Sequence, residues 1–197
     1  MMRKASVSRA TAESQISLEL ELDGHGEATL ESPVPFLDHM LRQLARHGGL
    51  DLELRATGDV ETGAHHTVED IGICLGSAID RALGERRGIE RYGSAFCPLD
   101  EALAQAVVDL GGRPFFVLDP PFPNVHIGNF NADLTFDFFQ ALATHARATI
   151  HLRILYGRNE HHKIEAAFKA FALALRQAIG LRSHDATRVP STKEHLD

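Results

Sequence analysis

The string His65-His66-Thr67-Val68-Glu69 returns as His161-His162-Lys163-Ile164-Glu165, 96 residues further along the chain. A repeat at such a spacing constrains the fold more than any single motif, because each copy must form the same local structure. The match continues at the same offset from Ala78-Ile79-Asp80-Arg81-Ala82-Leu83-Gly84 to Ala174-Leu175-Arg176-Gln177-Ala178-Ile179-Gly180. Upstream it holds at an offset of 98, pairing Leu44-Ala45-Arg46-His47 with Leu142-Ala143-Thr144-His145 and His39 with Asp137. The change of offset falls between Leu50–Gly63 and Ala148–Glu160, where turn lengths differ freely.

Each copy has the same pattern of elements. Apolar residues at helical spacing predict helices over 37–47 and 136–144. Alternation predicts strands at Leu50–Leu54 and Thr149–Leu155, each leading through a turn into an HHxxE helix that stops at Gly84 or Gly180. Further strands are expected at Ser17–Leu22, Ala106–Leu110 and Phe115–Leu118, with Pro120–Pro123 as an irregular connector. The expectation is an α+β fold of two tandem βαβα-type units, helices packed on one face of antiparallel sheet. Residues 1–92 form the first repeat. Residues 93–197 form the second, with a polar C-terminal tail, and the two make one compact domain. At 197 residues with 44% hydrophobic content, the chain can bury such a core.

On a helix, a Glu three or four positions after a His shares its face. His with carboxylate and no thiolate suits manganese, iron or zinc. Neighbouring His side chains diverge by about 100° and grip one ion together poorly. Two motifs of this kind therefore point to two metals, each drawing ligands from both repeats, with His39 and Asp137 as completing ligands. The eight candidates are His39, His65, His66, Glu69, Asp137, His161, His162 and Glu165. Of the remaining histidines, His25, His126, His184 and His195 read as solvated surface, His47 and His145 as ambiguous, and His151 as packed on a strand.

The net charge of -7 argues against nucleic acid as a partner, so an anionic ligand needs a local basic cluster. Cys74 and Cys97 form no CxxC pair, and Cys74 falls on an apolar helix side where packing explains it. The start lacks an apolar signal core and no run reaches membrane-spanning length, so a cytoplasmic protein is expected.

The sequence resembles the imidazoleglycerol-phosphate dehydratase family from Glu13 to Lys193. The residues that carry the resemblance are Phe36-Leu37-Asp38-His39-Met40-Leu41 with Gln43 and His47-Gly48-Gly49, both HHxxE motifs, Leu99-Asp100-Glu101-Ala102, Gly111-Gly112-Arg113-Pro114, and Phe168-Lys169-Ala170-Phe171. The resemblance implies a ribosomal protein S5 domain 2-like arrangement. It further implies two manganese ions per active site, at sites shared between subunits of a 24-subunit homo-oligomer. Seven family ligands fall on the candidates above; the eighth, a histidine in the family pattern, falls on Asp137. The repeat nominates that position independently, and a carboxylate also ligates manganese.

Substrate contacts carried over by the resemblance are Glu13, Arg91, Arg113, Lys169, Ser191 and Lys193, with His39, Gln43, His47, His65, Glu69 and His161 around the metals. The implied reaction is that of a lyase in histidine biosynthesis, dehydrating imidazoleglycerol phosphate to imidazole-acetol phosphate. A carbon-bound proton must leave, and an imidazolate held by both metals is the expected electron sink. Glu13 and Glu165 are the acid–base candidates. A dinuclear metallohydrolase and a metal-storage protein are the alternatives; storage predicts closed coordination and no converging Arg and Lys.

Overall fold

The computed structural model describes residues 3–182, 188–193 and 195–196. His184 lies outside them. Alternation builds the first sheet: Ile16, Leu18 and Leu20 point inward from β2 (Ser14–Glu21), and Leu52, Leu54 and Ala56 from β4 (Asp51–Gly58). With β1 (Lys4–Ala10) and β3 (Ala28–Glu31) the strand order is β1-β2-β4-β3. In the second half β5 (Tyr92–Leu99), β6 (Ala102–Asp109), β7 (Phe115–Asp119) and β10 (Thr149–Tyr156) take the equivalent order β5-β6-β10-β7. The helices are α1 (Pro35–Gly48), α2 (His65–Leu83), α3 (Leu134–His145) and α4 (Glu160–Ile179).

The fold is α+β and each sheet carries its helices on one face. Two details differ from expectation. Each unit is βββαβα, and β3–β4 and β7–β10 are parallel pairs beside otherwise antiparallel neighbours. The cause is topological: α1 and α3 sit between those strands, and a helical crossover returns the chain in the same direction. The second half also inserts a short hairpin, β8 (His126–Ile127) and β9 (Phe130–Asn131), ahead of α3. Equivalent strands therefore start 88 residues apart, Ser14 against Ala102, while α1 and α3 start 99 apart.

The helices lie between the two sheets and join the halves. α2 packs on β1 and β2 and meets α3; α4 packs on β5 and β6 and meets α1. Gly72 and Gly76 set the α2–α3 approach, since a Cβ there would lie 2.6 Å from the Phe138 carbonyl oxygen and 2.5 Å from that of Leu142. Phe138, Phe139, Phe168 and Phe171 fill the centre, with ring centroids 4.7–5.3 Å apart. Arg86, 2% exposed, donates to the Leu110, Ala146 and Arg147 carbonyls and so ties the end of α2 to the second half. His25, His126 and His195 are exposed as expected; His151 is exposed on the outer face of β10 and is not packed. Among the described residues, no helix is long and apolar enough to cross a membrane.

Cys74 is fully buried on α2, and burial pushes its thiol up to about 11. Since the thiolate is the reactive form, titration of native protein with a thiol reagent is expected to detect at most Cys97. Denaturation should release the second thiol. Rapid labelling of Cys74 in the native state would contradict this packing.

Candidate metal and substrate site

His39, Gln43 and His47 recur every four residues along one face of α1, and His161, Glu165 and Lys169 do so along α4. Packing of α1 on α4 brings the two faces together. His39 Nε2 lies 3.0 Å and His161 Nε2 3.1 Å from the same oxygen, Glu165 Oε2. One ligand atom from each of the three lies within 4.8 Å of the others. Lys169 Nζ sits 2.6 Å from the other oxygen, Oε1. Burial works against the Glu165 charge, but the hydrogen bonds from Lys169 and His39 outweigh it and hold its pKa below the ordinary value. Burial, followed by the Lys169 charge, lowers that of His47.

Asn159 shapes this end of α4. Its side chain caps the helix by accepting from the His161 and His162 backbone N–H groups. Phe36 packs edge-on against the His161 ring at 5.1 Å and is backed by Phe130 of the inserted hairpin at 5.2 Å.

The repeat generates a second cluster where α2 meets α3. His65 Nδ1 lies 3.5 Å from Asp137 Oδ2, and His65 Nε2 3.8 Å from Glu69 Oε2. Asp137 thus stands opposite His65 as His39 stands opposite His161. This cluster is more open, because the Lys169 position is Ile73 on α2 and the Phe36 position is Leu134 on α3. Burial raises the Asp137 pKa, with Asp133 and Glu69 adding to it and His65 opposing.

His66 and His162 join neither cluster within the chain. They diverge from their neighbours as helix geometry requires. His66 Nδ1 lies 3.2 Å from Asp59 Oδ2 and 3.7 Å from Glu13 Oε2. His162 Nδ1 lies 2.7 Å from Glu101 Oε2. That hydrogen bond, aided by the Asn159 backbone, brings the Glu101 carboxyl down to about 2. One chain therefore arranges the eight candidates as two triplets and two outward histidines, not as two sets of four.

Glu13 is exposed, on a turn anchored from below: Ser14 Oγ donates to Asp70 Oδ2 at 2.5 Å and Arg9 Nε to Asp70 Oδ1 at 2.7 Å. The cationic candidates other than Lys169 gather elsewhere. Arg91, Arg113, Ser191 and Lys193 line a cavity of about 560 Å³ together with Arg182 and Arg188. Arg91 donates from Nε and Nη2 to Asp109 at 2.7 and 3.1 Å and from Nη1 to the Pro190 carbonyl at 2.9 Å, which fastens the tail. Gly111 gives that pair room, since a Cβ there would lie 2.7 Å from Arg91 Nη2. The Arg91 N–H donates to the Ala178 carbonyl near the far end of α4. At ~1.5 Å per residue, that point lies roughly 20 Å along the helix from Glu165. Asp59, Asp109, Arg182 and Arg188 escaped the sequence reading. The two arginines precede Ser191 in a polar tail and were findable as a basic cluster; isolated loop or strand-end aspartates carry no such mark.

Comparison with known proteins identifies the family. The sequence profile of the family described as imidazoleglycerol-phosphate dehydratase matches residues 32–175. The enzyme of that name from Ralstonia pickettii is 50% identical over 196 residues, covering 100% of both chains. That from Halorhodospira halophila is 51% identical over 194 residues, covering 98% of each. The crystal structure of imidazoleglycerol-phosphate dehydratase from Staphylococcus aureus superposes with a TM-score of 0.82 at 35% identity, covering 91% of this chain and 99% of that one. The Pyrococcus furiosus structure, in complex with (S)-C348, gives 0.81 at 36% identity over 96% and 100%. The chain belongs to the imidazoleglycerol-phosphate dehydratase family, enzymes of histidine biosynthesis.

Proposed function

We propose that the protein dehydrates D-erythro-imidazoleglycerol phosphate to imidazole-acetol phosphate with two divalent ions per active site, manganese first among them. The observation that carries this reading is the convergence of His39 Nε2, His161 Nε2 and Glu165 Oε2, repeated more loosely by His65, Glu69 and Asp137. A thiolate-free set of imidazoles and carboxylates fits manganese and open coordination. His39, His161 and Glu165 would hold one ion and His65, Glu69 and Asp137 the other, with His66 and His162 completing sites on a neighbouring chain. When bound, the ions supply Lewis-acid withdrawal of electron density from the substrate's ring nitrogens.

The chain's own groups divide the remaining work. Both Glu165 oxygens are engaged, one by two imidazoles and one by Lys169. That leaves Glu13, exposed and 3.7 Å from His66, as the carboxylate able to move a proton. Gln43 and His47 extend the first cluster along α1. Arg113, Lys193 and Ser191 receive the phosphate in the arginine-rich cavity, with Arg91 holding the tail in place.

Assembly follows from distance. A phosphate joined to an imidazole by three carbons spans about 10 Å from bond lengths. The chain's clusters and its cavity lie roughly twice as far apart along α4. One substrate molecule therefore needs groups from more than one chain. The outer face of the second sheet exposes Phe96, Val107, Phe115 and Leu155, where the first carries Lys4, Glu19, Glu53 and Arg55. That contrast supports a homo-oligomer; the 24-subunit shell with shared sites and the cytoplasmic setting are what membership of the family implies. Metal storage does not account for the cationic cavity. The test is ultraviolet detection of the keto product from imidazoleglycerol phosphate with and without manganese. Product only with metal is expected; none in either case would favour storage or hydrolysis.

A further inference from the structure

Each half has a glutamate immediately before the second strand of its sheet: Glu13 before β2 and Glu101 before β6. These repeat-related residues do different things. Glu101 Oε2 meets His162 Nδ1 at 2.7 Å, while its Oε1 accepts the Arg158 and Asn159 backbone N–H groups at 3.2 and 2.8 Å. An ionised carboxylate only accepts, so His162 Nδ1 must carry the proton and the free lone pair sits on Nε2. Asp100 Oδ2 lies 4.0 Å from that Nε2, beyond hydrogen-bond range. In the first half another residue takes this role. Asp59 Oδ2 meets His66 Nδ1 at 3.2 Å, held by its own N–H to the Glu13 carbonyl at 3.1 Å and by Thr62 Oγ1 at 3.1 Å. Glu13 stays 3.7 Å away. The residue that follows β10, where Asp59 follows β4, is Gly157, which has no carboxylate to offer.

We propose that Glu101 and Asp59 are positioning residues that fix His162 and His66 with Nε2 presented for a metal, and that Asp59 thereby leaves the Glu13 side chain free for proton transfer. This rests on the dimetal reading above. A carboxylate behind a ligating imidazole fixes its tautomer and raises its basicity, and its loss weakens metal binding about 10–100-fold. Asp59 differs from Glu101 in having a substitute at hand, because a small rotation brings Glu13 onto His66 Nδ1. Losing Asp59 then costs activity more than metal.

The experiment measures manganese affinity of the assembled full-length protein by chelator competition, read by electron paramagnetic resonance, alongside turnover. Glu101→Ala should weaken one of the two ions about 10–100-fold. Glu101→Gln keeps one acceptor oxygen but turns its NH2 toward the donors on the other side, so it should restore only part of that affinity. Asp59→Ala should hold manganese to within about threefold, since Glu13 substitutes, yet lose turnover as Glu13→Gln does. Wild-type protein that binds no manganese would sink the dimetal reading itself. Wild-type binding with unchanged affinity in Glu101→Ala, or full turnover in Asp59→Ala, would overturn the positioning roles alone. Should Glu101→Ala fail to assemble, the Asp59→Ala arm decides.

Discussion

Glu165→Ala is expected to lose one of two metal ions per assembled chain and at least about 10³-fold in turnover, the size of a lost Lewis-acid contribution of several kcal/mol. The carboxylate is 7% exposed and hydrogen-bonds both His39 and His161. Its removal also leaves Lys169, whose side chain is 15% exposed, without its ion-pair partner. A reading in which Glu165 only balances that lysine predicts a different outcome: lower thermal stability with metal content unchanged. Elemental analysis of purified variant beside its turnover separates the two.

Glu13→Gln is expected to lower kcat by about 10²–10⁴, the range of a positioned acid or base, with both metals retained. The fold should not notice. The side chain is exposed, and Ser14, Asp70 and Arg9 hold its turn without it. Steady-state kinetics with parallel metal analysis checks this. A kcat within threefold of wild type would move proton transfer to another group.

Much of the site was legible because the repeat is written in residues whose chemistry is narrow. Paired histidines with a glutamate on one helical face, found twice, nominate ligands without any structure. The repeat also pairs His39 with Asp137. Which helix each would meet was not legible. His39 reaches His161 of the other repeat through the α1–α4 contact, and Asp137 reaches His65 through α2–α3. Those are tertiary facts set by helix packing across the halves. The outward turn of His66 and His162 was implied by helix geometry, whereas their carboxylate partners depended on how two turns approach the helix starts.

The fold shows the same division. β2, β4 and β10 alternate and were readable. β1 has only Ala5 and Val7 as apolar inward positions before Arg9 interrupts the alternation, too few to mark a strand. The hairpin of β8 and β9 is too short to leave a pattern, and it lies ahead of α3, outside the stretch where the sequence's repeat offset changes. Arg86 sits among Gly84, Glu85 and Arg87, where a charged side chain ordinarily reads as solvated. The three carbonyls it meets and its ion pair with Asp80 explain its burial.

The proposed dehydration depends on two metal ions, each held by ligands from both repeats. Metal content per chain, measured with solution mass and turnover on the same preparation, tests it most directly. Two manganese ions per chain in a large homo-oligomer are expected, with loss of turnover in step with their removal by chelation. Full turnover of imidazoleglycerol phosphate by metal-free protein, or by a monomer, would contradict it.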